Sequence, residues 1–138
     1  MKEPSDKRKR TLALKERAIR FSVAVDAGCP ATFLNYPSQV VWEQLVRAAE
    51  STSNNLIEAE DASSDADFLH KMRTALREAK ESKACLRKLR LAQLQNAAKV
   101  SQCEQEADEL AAIFATILKN TELRLQREGK MPLRKGYR

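Results

Sequence analysis

An unbroken helical period runs through the second quarter of the chain and decides how many helices the chain can form. Small or apolar residues recur there at steps of four, three, four, three and four, at Val41, Leu45, Ala48, Thr52, Asn55 and Ala59. This spacing places them on one face of an α-helix. The polar run from Ser51 to Asn55 lies inside the period, yet it contains neither Gly nor Pro, which a loop would normally carry. We therefore predict one helix over residues 37–61, with small and polar side chains turned inward.

Similar patterning predicts three further helices, over residues 11–27, 65–96 and 102–127. Gly28 ends the first of them, and Ser64 is a suitable N-cap for the third. The sequence Ser101-x-x-Glu104 has the form of a capping box and predicts the start of the fourth. Four amphipathic helices with short connections favour an all-α, antiparallel up-down-up-down four-helix bundle over residues 11–128.

Positive charge is concentrated at the two ends of the chain. The 138 residues carry a formal charge of +6, but residues 1–20 and 124–138 carry +5 each, and residues 21–123 carry −4. We predict that residues 1–10 and 129–138 form a disordered basic arm and tail. Basic ends on a compact body favour polyanionic partners, whereas the alternative is that they only keep the protein soluble.

Several classes of protein are disfavoured by the sequence. No apolar run approaches the roughly 20 residues of a membrane span, and no apolar segment follows the basic N-terminus as in a secretory signal. Cys29, Cys85 and Cys103 are odd in number and far apart, which indicates reduced thiols and a cytoplasmic protein.

Enzymatic chemistry is also disfavoured. The single His, in Asp67-x-x-His70, cannot supply the two Glu-x-x-His motifs of a di-iron bundle. The sequence contains no Gly-rich phosphate loop and no nucleophile elbow. We expect no metal, no cofactor and no enzymatic activity.

The predicted third helix has a basic face. Residues 71–90 contain eight Lys or Arg against two acids, Glu78 and Glu81. Phosphates bind such a face by releasing counterions, so we treat seven of the cations as candidate nucleic-acid contacts. They are Arg73, Arg77, Lys80, Lys83, Arg87, Lys88 and Arg90. The alternative is a solvated face with ion pairs such as Arg77–Glu81, which the lack of base-stacking aromatics favours.

Two segments together resemble one known family, the bacterial four-helix-bundle proteins encoded by intervening sequences within large-subunit ribosomal RNA genes. The first segment is QLVRAAESTSNNLIEA, in which the signature is matched by Gln44, Arg47, Ala48, Ser51, Asn55 and Glu58. The second is ALREAKESKACLRKL, which resembles a family variant through Ala75, Leu76, Glu78, Ala79, Glu81, Ser82 and Leu86. The likeness covers roughly residues 11–125. Two departures are Ala59, where the family usually has Gly, and Cys85, where the variant usually has Trp.

The resemblance implies a bundle that assembles into rings, typically pentamers. One branch, the accessory variability proteins of diversity-generating retroelements, binds nucleic acid and a reverse transcriptase. We therefore expect a non-enzymatic homo-oligomer that binds RNA or DNA through the basic face, with a protein such as a reverse transcriptase as a further candidate partner. The alternative is a structural or protein-interaction scaffold that binds no nucleic acid.

The polar members of the two segments form a second set of candidate residues. We interpret them as packing contacts between helices or between subunits, because polar groups in a helical seam commonly specify register. The alternative is a binding or catalytic cluster. These residues are Gln44, Arg47, Ser51, Asn55, Glu58, Glu78 and Glu81.

Overall fold

The computed structural model describes residues 3–92 and 96–131, which form four α-helices and, within these ranges, no strand. The helices are α1 (Asp6–Gly28), α2 (Tyr36–Glu60), α3 (Asp65–Leu91) and α4 (Ala97–Arg127). Each helix packs against its neighbours in sequence, and α1 also packs against α4, which closes the bundle. Short connections make consecutive helices antiparallel. The predicted four-helix bundle is confirmed.

The helix α2 runs without interruption through the polar Ser/Thr/Asn run, as predicted. Asn35 caps it, because the Asn35 side chain accepts a hydrogen bond from the Ser38 amide at 2.9 Å. Thr52 is fully buried, and its hydroxyl donates to the Ala48 carbonyl oxygen at 2.8 Å. A buried hydroxyl that is satisfied within its own helix needs no partner from a neighbouring helix. Polar residues therefore continue the helix without breaking its buried face.

The inward position predicted for Asn55 is wrong. Its side chain is half-buried, and its amide nitrogen donates back to the Ser51 carbonyl oxygen at 2.8 Å. Leu56 is 6% exposed and occupies the core position instead. An α-helix has 3.6 residues per turn, so residues three or four positions apart lie on the same face. Thr52, Leu56 and Ala59 follow this spacing as well as Thr52, Asn55 and Ala59 do. Ala59 is buried in the last turn, and α2 ends one residue later.

The helix α1 begins at Asp6, five residues before the predicted start, so residues 6–10 of the predicted disordered arm are helical. The Ser5 hydroxyl accepts a hydrogen bond from the Arg8 amide at 3.2 Å and caps the first turn. Arg8 also forms an ion pair with Glu60 of α2, which holds this turn against the bundle. Residues 1 and 2 lie outside the described part of the chain.

The predicted boundary between α3 and α4 is also wrong. Helix α3 ends at Leu91 and α4 begins at Ala97, so Ser101 and Glu104 lie inside α4 and do not cap it. Asn96 precedes α4 with a φ of +64°, a left-handed conformation that Asn adopts more readily than most residues. Its side-chain amide donates to the Gly28 carbonyl oxygen at 2.6 Å, which ties the start of α4 to the end of α1. Residues 93–95 lie outside the described part.

The predicted C-terminal tail is only partly described. Gly129 has a φ of +70° and follows the end of α4, and Met131 packs against the core. Residues 132–138 lie outside the described ranges. None of the described helices combines the length and hydropathy that a membrane crossing requires.

Small buried side chains are frequent on α2 and α3, the two helices that pack most extensively, and we call this packing the small-residue seam. The buried small residues include Ala48, Ala49, Thr52, Ser53 and Ala59 on α2, and Ala75, Ala79 and Ser82 on α3. Large side chains such as Trp42, Phe21 and Phe114 fill the rest of the core. Small residues let two helix backbones approach closely, so this seam holds the outer faces of α2 and α3 in a defined relation.

Candidate nucleic-acid interface

The outer face of α3 carries a row of four exposed cations, Arg77, Lys80, Arg87 and Lys88. Within the described ranges, no carboxylate oxygen lies within 4.0 Å of their charged nitrogens. From Arg77 to Lys88 the helix rises about 16 Å. Ala84 and Leu91 are exposed beside these cations, and Glu81 is exposed along one margin of the row, which we call the free basic row. Its four cations form no ion pair within 4.0 Å among the described residues, and the row has no aromatic side chain.

The other three predicted contacts on α3 bind carboxylates of α4. Lys83 lies 2.7 Å from Asp108, and Arg90 lies 2.8 Å from Glu104. Arg73 lies 2.8 Å from Glu122, whose side chain is 2% exposed. These pairs divide the predicted basic face into an edge that joins α3 to α4 and the free basic row. Sequence patterning did not separate the two groups.

The α4 carboxylates that form this edge were not identified from the sequence, although a signal for them exists. As the cation moves forward along α3 from Arg73 through Lys83 to Arg90, its partner moves back along α4 from Glu122 through Asp108 to Glu104. Residues related in this way face each other in an antiparallel pair of helices. Once one of these pairs fixes how α4 lies against α3, the other two pairs follow from the same antiparallel order.

Three members of the polar motif interact between α2 and α3. Glu58 of α2 lies 2.8 Å from Lys71 of α3, and this hydrogen bond raises the pKa of Lys71. The positive charge of Arg47 on α2 also acts on the carboxyl group of Glu78 on α3, where it opposes the rise in pKa that burial causes. The ion pair and this electrostatic interaction both link α2 to α3.

Glu78 and Glu81 form a pair of neighbouring carboxyl groups on α3. Burial raises the pKa of Glu78, and the negative charge and hydrogen bond of Glu81 raise it further. Arg77 and Arg47 oppose this effect but do not cancel it. Two carboxyl groups that share one hydrogen bond tend to retain a proton. Helix packing alone can produce such a pair, so it does not by itself identify a functional site.

The remaining motif residues do not converge on this carboxyl pair. The Asn55 amide also donates to the Ser51 hydroxyl at 3.1 Å, within α2. Gln44 is exposed on the same helix. The motif therefore comprises bridges between α2 and α3, a local bond in α2 and an exposed amide.

The cysteines and the histidine do not form a reactive centre among the described residues. Cys85 and Cys103 are buried, and burial raises the pKa of both thiols, so both are protonated at neutral pH. His70 is exposed on α3. Within residues 3–92 and 96–131, no group of three or more His, Cys, Asp or Glu side chains is placed to hold a metal ion.

Comparison with known proteins identifies similar sequences and folds. Residues 10–116 match the model of a family described as 23S rRNA-intervening sequence protein. Among solved structures, a protein of unknown function from the S23 ribosomal protein family of Bacteroides thetaiotaomicron is similar, with a TM-score of 0.65 and 24% sequence identity. The match covers 77% of this chain and 98% of that one, and at this identity it shows the fold alone. A search among curated proteins finds no match.

Proposed function

This chain belongs to the 23S rRNA-intervening sequence protein family, and we propose from its surface charge that it is a non-enzymatic protein that binds RNA or DNA. The observation that carries the proposal is the free basic row on α3. Its four cations have no described carboxylate within 4.0 Å, whereas Arg73, Lys83 and Arg90 on the same helix are each paired. Cations without a protein partner are the ones available to phosphate.

The composition of the row favours contact with the nucleic-acid backbone. Lys and Arg bind phosphate oxygens in a way that is independent of base sequence, and each contact releases counterions. Recognition of single-stranded bases usually depends on stacking against aromatic side chains, and the row has none. We therefore propose sequence-independent binding to a phosphate backbone, with the basic ends of the chain adding charge.

The test is a titration of labelled RNA and duplex DNA at several salt concentrations. For duplex DNA, the slope of log K against log salt is about −0.9 for each phosphate contact, so four contacts predict a slope of about −3.6. The double variant Arg77→Gln/Lys80→Gln should lower the magnitude of this slope by about 1.8. Circular dichroism would establish that the variant keeps its helices.

Lys99 and Lys119 on α4 provide the matched control, since no described carboxylate lies within 4.0 Å of either. The double variant Lys99→Gln/Lys119→Gln removes the same charge and should leave the slope nearly unchanged. Equal losses in the two double variants would show general attraction to a basic protein and would reject the row as the site. Binding weaker than micromolar at low salt would reject the function itself.

A second candidate function, a self-associating scaffold, is favoured by a different surface. Leu12, Ile19 and Val23 of α1 are exposed by 41%, 39% and 60%, and their steps of seven and four place them on one side of the helix. An exposed apolar stripe of this kind is typical of a surface that another protein covers. We propose that copies of the chain associate through this stripe, with a pentamer as the state expected from the family likeness.

Light scattering tests self-association directly, given a chain mass of 15.6 kDa. The variant Ile19→Glu/Val23→Glu should reduce the measured mass to that of one chain, because it places carboxylates in the apolar contact. Leu91 is 64% exposed on α3, so Leu91→Glu is a control that should keep the wild-type mass. A monomeric wild-type protein would reject the proposal.

A further inference from the structure

A groove remains between α1 and α4, the two neighbouring helices that pack least extensively. At the end where α1 begins and α4 ends, it widens into a cleft of about 720 Å³ that all four helices line. A shallower part of about 460 Å³ continues between α1 and α4. The two parts share Lys7, Thr11, Leu14 and Ile117, so they form one continuous surface, which we call the α1–α4 groove.

The floor of the α1–α4 groove is apolar. Leu14, Phe68, Ile113 and Ile117 line it, and each is only partly buried although it packs against the core. Along α1 the groove extends from Lys7 to Arg17, a rise of about 15 Å, or roughly three turns of helix. This size and these partly exposed apolar side chains suit the apolar face of a short helix.

The edges of the groove are positively charged. Five cations line it against two carboxylates, Glu60 and Asp65; the cations are Lys7, Arg10, Lys15, Arg17 and Arg124. Lys15 lies 2.6 Å from Glu60, and Arg17 lies 3.1 Å from Glu109 of α4. In contrast, no described carboxylate lies within 4.0 Å of the charged nitrogen atoms of Lys7 or Arg10. The groove therefore has an uncompensated positive edge on α1.

We infer that the α1–α4 groove binds an amphipathic helix of a partner protein, with apolar residues on the floor and acidic residues against Lys7 and Arg10. Charge complementarity selects this occupant. The C-terminal segment of this chain, residues 132–138, contains three cations and no acid, so it has the wrong charge. A nucleic acid would leave the apolar floor without a partner. The groove is a different surface from the free basic row, whose residues do not line it, although Lys7 and Arg10 also belong to the basic N-terminal end of the chain.

Part of the groove lies outside the residues that match the family. Lys7, Ile117, Thr121 and Arg124 line it, whereas the family match covers residues 10–116. The first turn of α1 and the last turns of α4 therefore complete a surface that the matched segment alone does not form.

The test uses a fluorescein-labelled synthetic peptide of about 16 residues, which is about 24 Å long as a helix. It carries Leu at positions i, i+4, i+7 and i+11, with Glu on both sides of this stripe. Fluorescence anisotropy with the full chain should give micromolar binding. The double variant Lys7→Glu/Arg10→Glu should weaken binding about tenfold or more, because like charges would then face each other.

Lys119→Glu is the control for charge reversal. Lys119 is exposed and lies two positions from Ile117, which places it about 160° around α4 from the groove. It should leave peptide binding unchanged. Ile117→Ser should weaken binding by removing part of the apolar floor, and circular dichroism would establish that each variant is folded.

Several results would overturn the inference. One is equal binding of a peptide with the same composition but dispersed Leu residues, and another is equal loss in Lys119→Glu and Lys7→Glu/Arg10→Glu. Tighter peptide binding after removal of residues 132–138 would identify the C-terminal segment as the occupant. A lower mass of Lys7→Glu/Arg10→Glu in light scattering would identify a second copy of the chain. Arg77→Gln/Lys80→Gln should weaken RNA binding and leave peptide binding unchanged. Weaker peptide binding in this variant would show that the peptide does not bind at a separate groove.

Discussion

A guanidinium nitrogen of Arg73 on α3 lies 2.8 Å from a carboxylate oxygen of Glu122 on α4, and the side chain of Glu122 is 2% exposed. Arg73 reaches this carboxylate from the surface, since 45% of its own side chain is exposed. A buried carboxylate is costly unless charged donors compensate the loss of water. The pair therefore stabilises the packing of α3 against α4. Arg73 has this structural role, whereas the cations of the free basic row on the same helix are not paired with any described carboxylate.

Replacement of Arg73 should destabilise the bundle more than replacement of a cation in the free basic row. The change Arg73→Ala removes a charged hydrogen-bond donor from the buried Glu122 carboxylate, and we expect a loss of about 2 kcal/mol in the free energy of unfolding. Urea denaturation followed by circular dichroism measures this loss. Lys80→Ala, on the same helix and without a described ion pair, should change stability by less than about 0.5 kcal/mol. Similar values for the two variants would show that the pair adds little to stability.

The small-residue seam between α2 and α3 should not accept larger side chains. Ala79 is fully buried on α3, so Ala79→Leu should overpack the core around this helix and lower the free energy of unfolding by about 1–3 kcal/mol. Ala84 is exposed on the same helix, and Ala84→Leu should leave stability nearly unchanged. Thermal denaturation of both variants provides the comparison. A neutral Ala79→Leu would mean that the seam has room that the structure does not show.

Stability should depend on pH through Glu78. Burial and then Glu81 raise the pKa of this carboxyl group above its ordinary 4.5, so the folded protein holds the proton more tightly than the unfolded chain does. Stability from this group is therefore complete below pH 4.5 and is lost as the pH rises through the raised pKa. Glu78→Gln removes this loss, so the variant should be more stable than the wild type at pH 7.

Urea titrations of Glu78→Gln at pH 4 and pH 7 would measure the effect. The advantage of the variant should shrink towards pH 4, where the wild-type carboxyl group is itself largely protonated. Glu50→Gln, at an exposed position on α2, is the control and should give no gain that depends on pH in this way. A constant difference between wild type and Glu78→Gln across this range would contradict the assigned cause.

The sequence by itself determined the number of helices and the path of α2. Five of the six positions that spacing selected on α2 are buried, because spacing is a local property of one helix, and Asn55 is the exception. Residue type, which is also local, identified Ser64 as a suitable N-cap, and its hydroxyl accepts a hydrogen bond from the Asp67 amide at 3.1 Å. The similarity of residues 44–59 to a known family is likewise a property of the sequence alone.

Tertiary structure decided which charges remain available and where α4 begins. Helical periodicity gives the direction in which Arg73 points, but not the carboxylate that lies opposite on another helix, 49 positions along the chain. The start of α4 also depends on a distant contact. Asn96 precedes α4 in a left-handed conformation, and its side-chain amide donates a hydrogen bond to the carbonyl oxygen of Gly28, 68 positions away. Contacts of this kind depend on the relative positions of whole helices, which no short stretch of sequence contains.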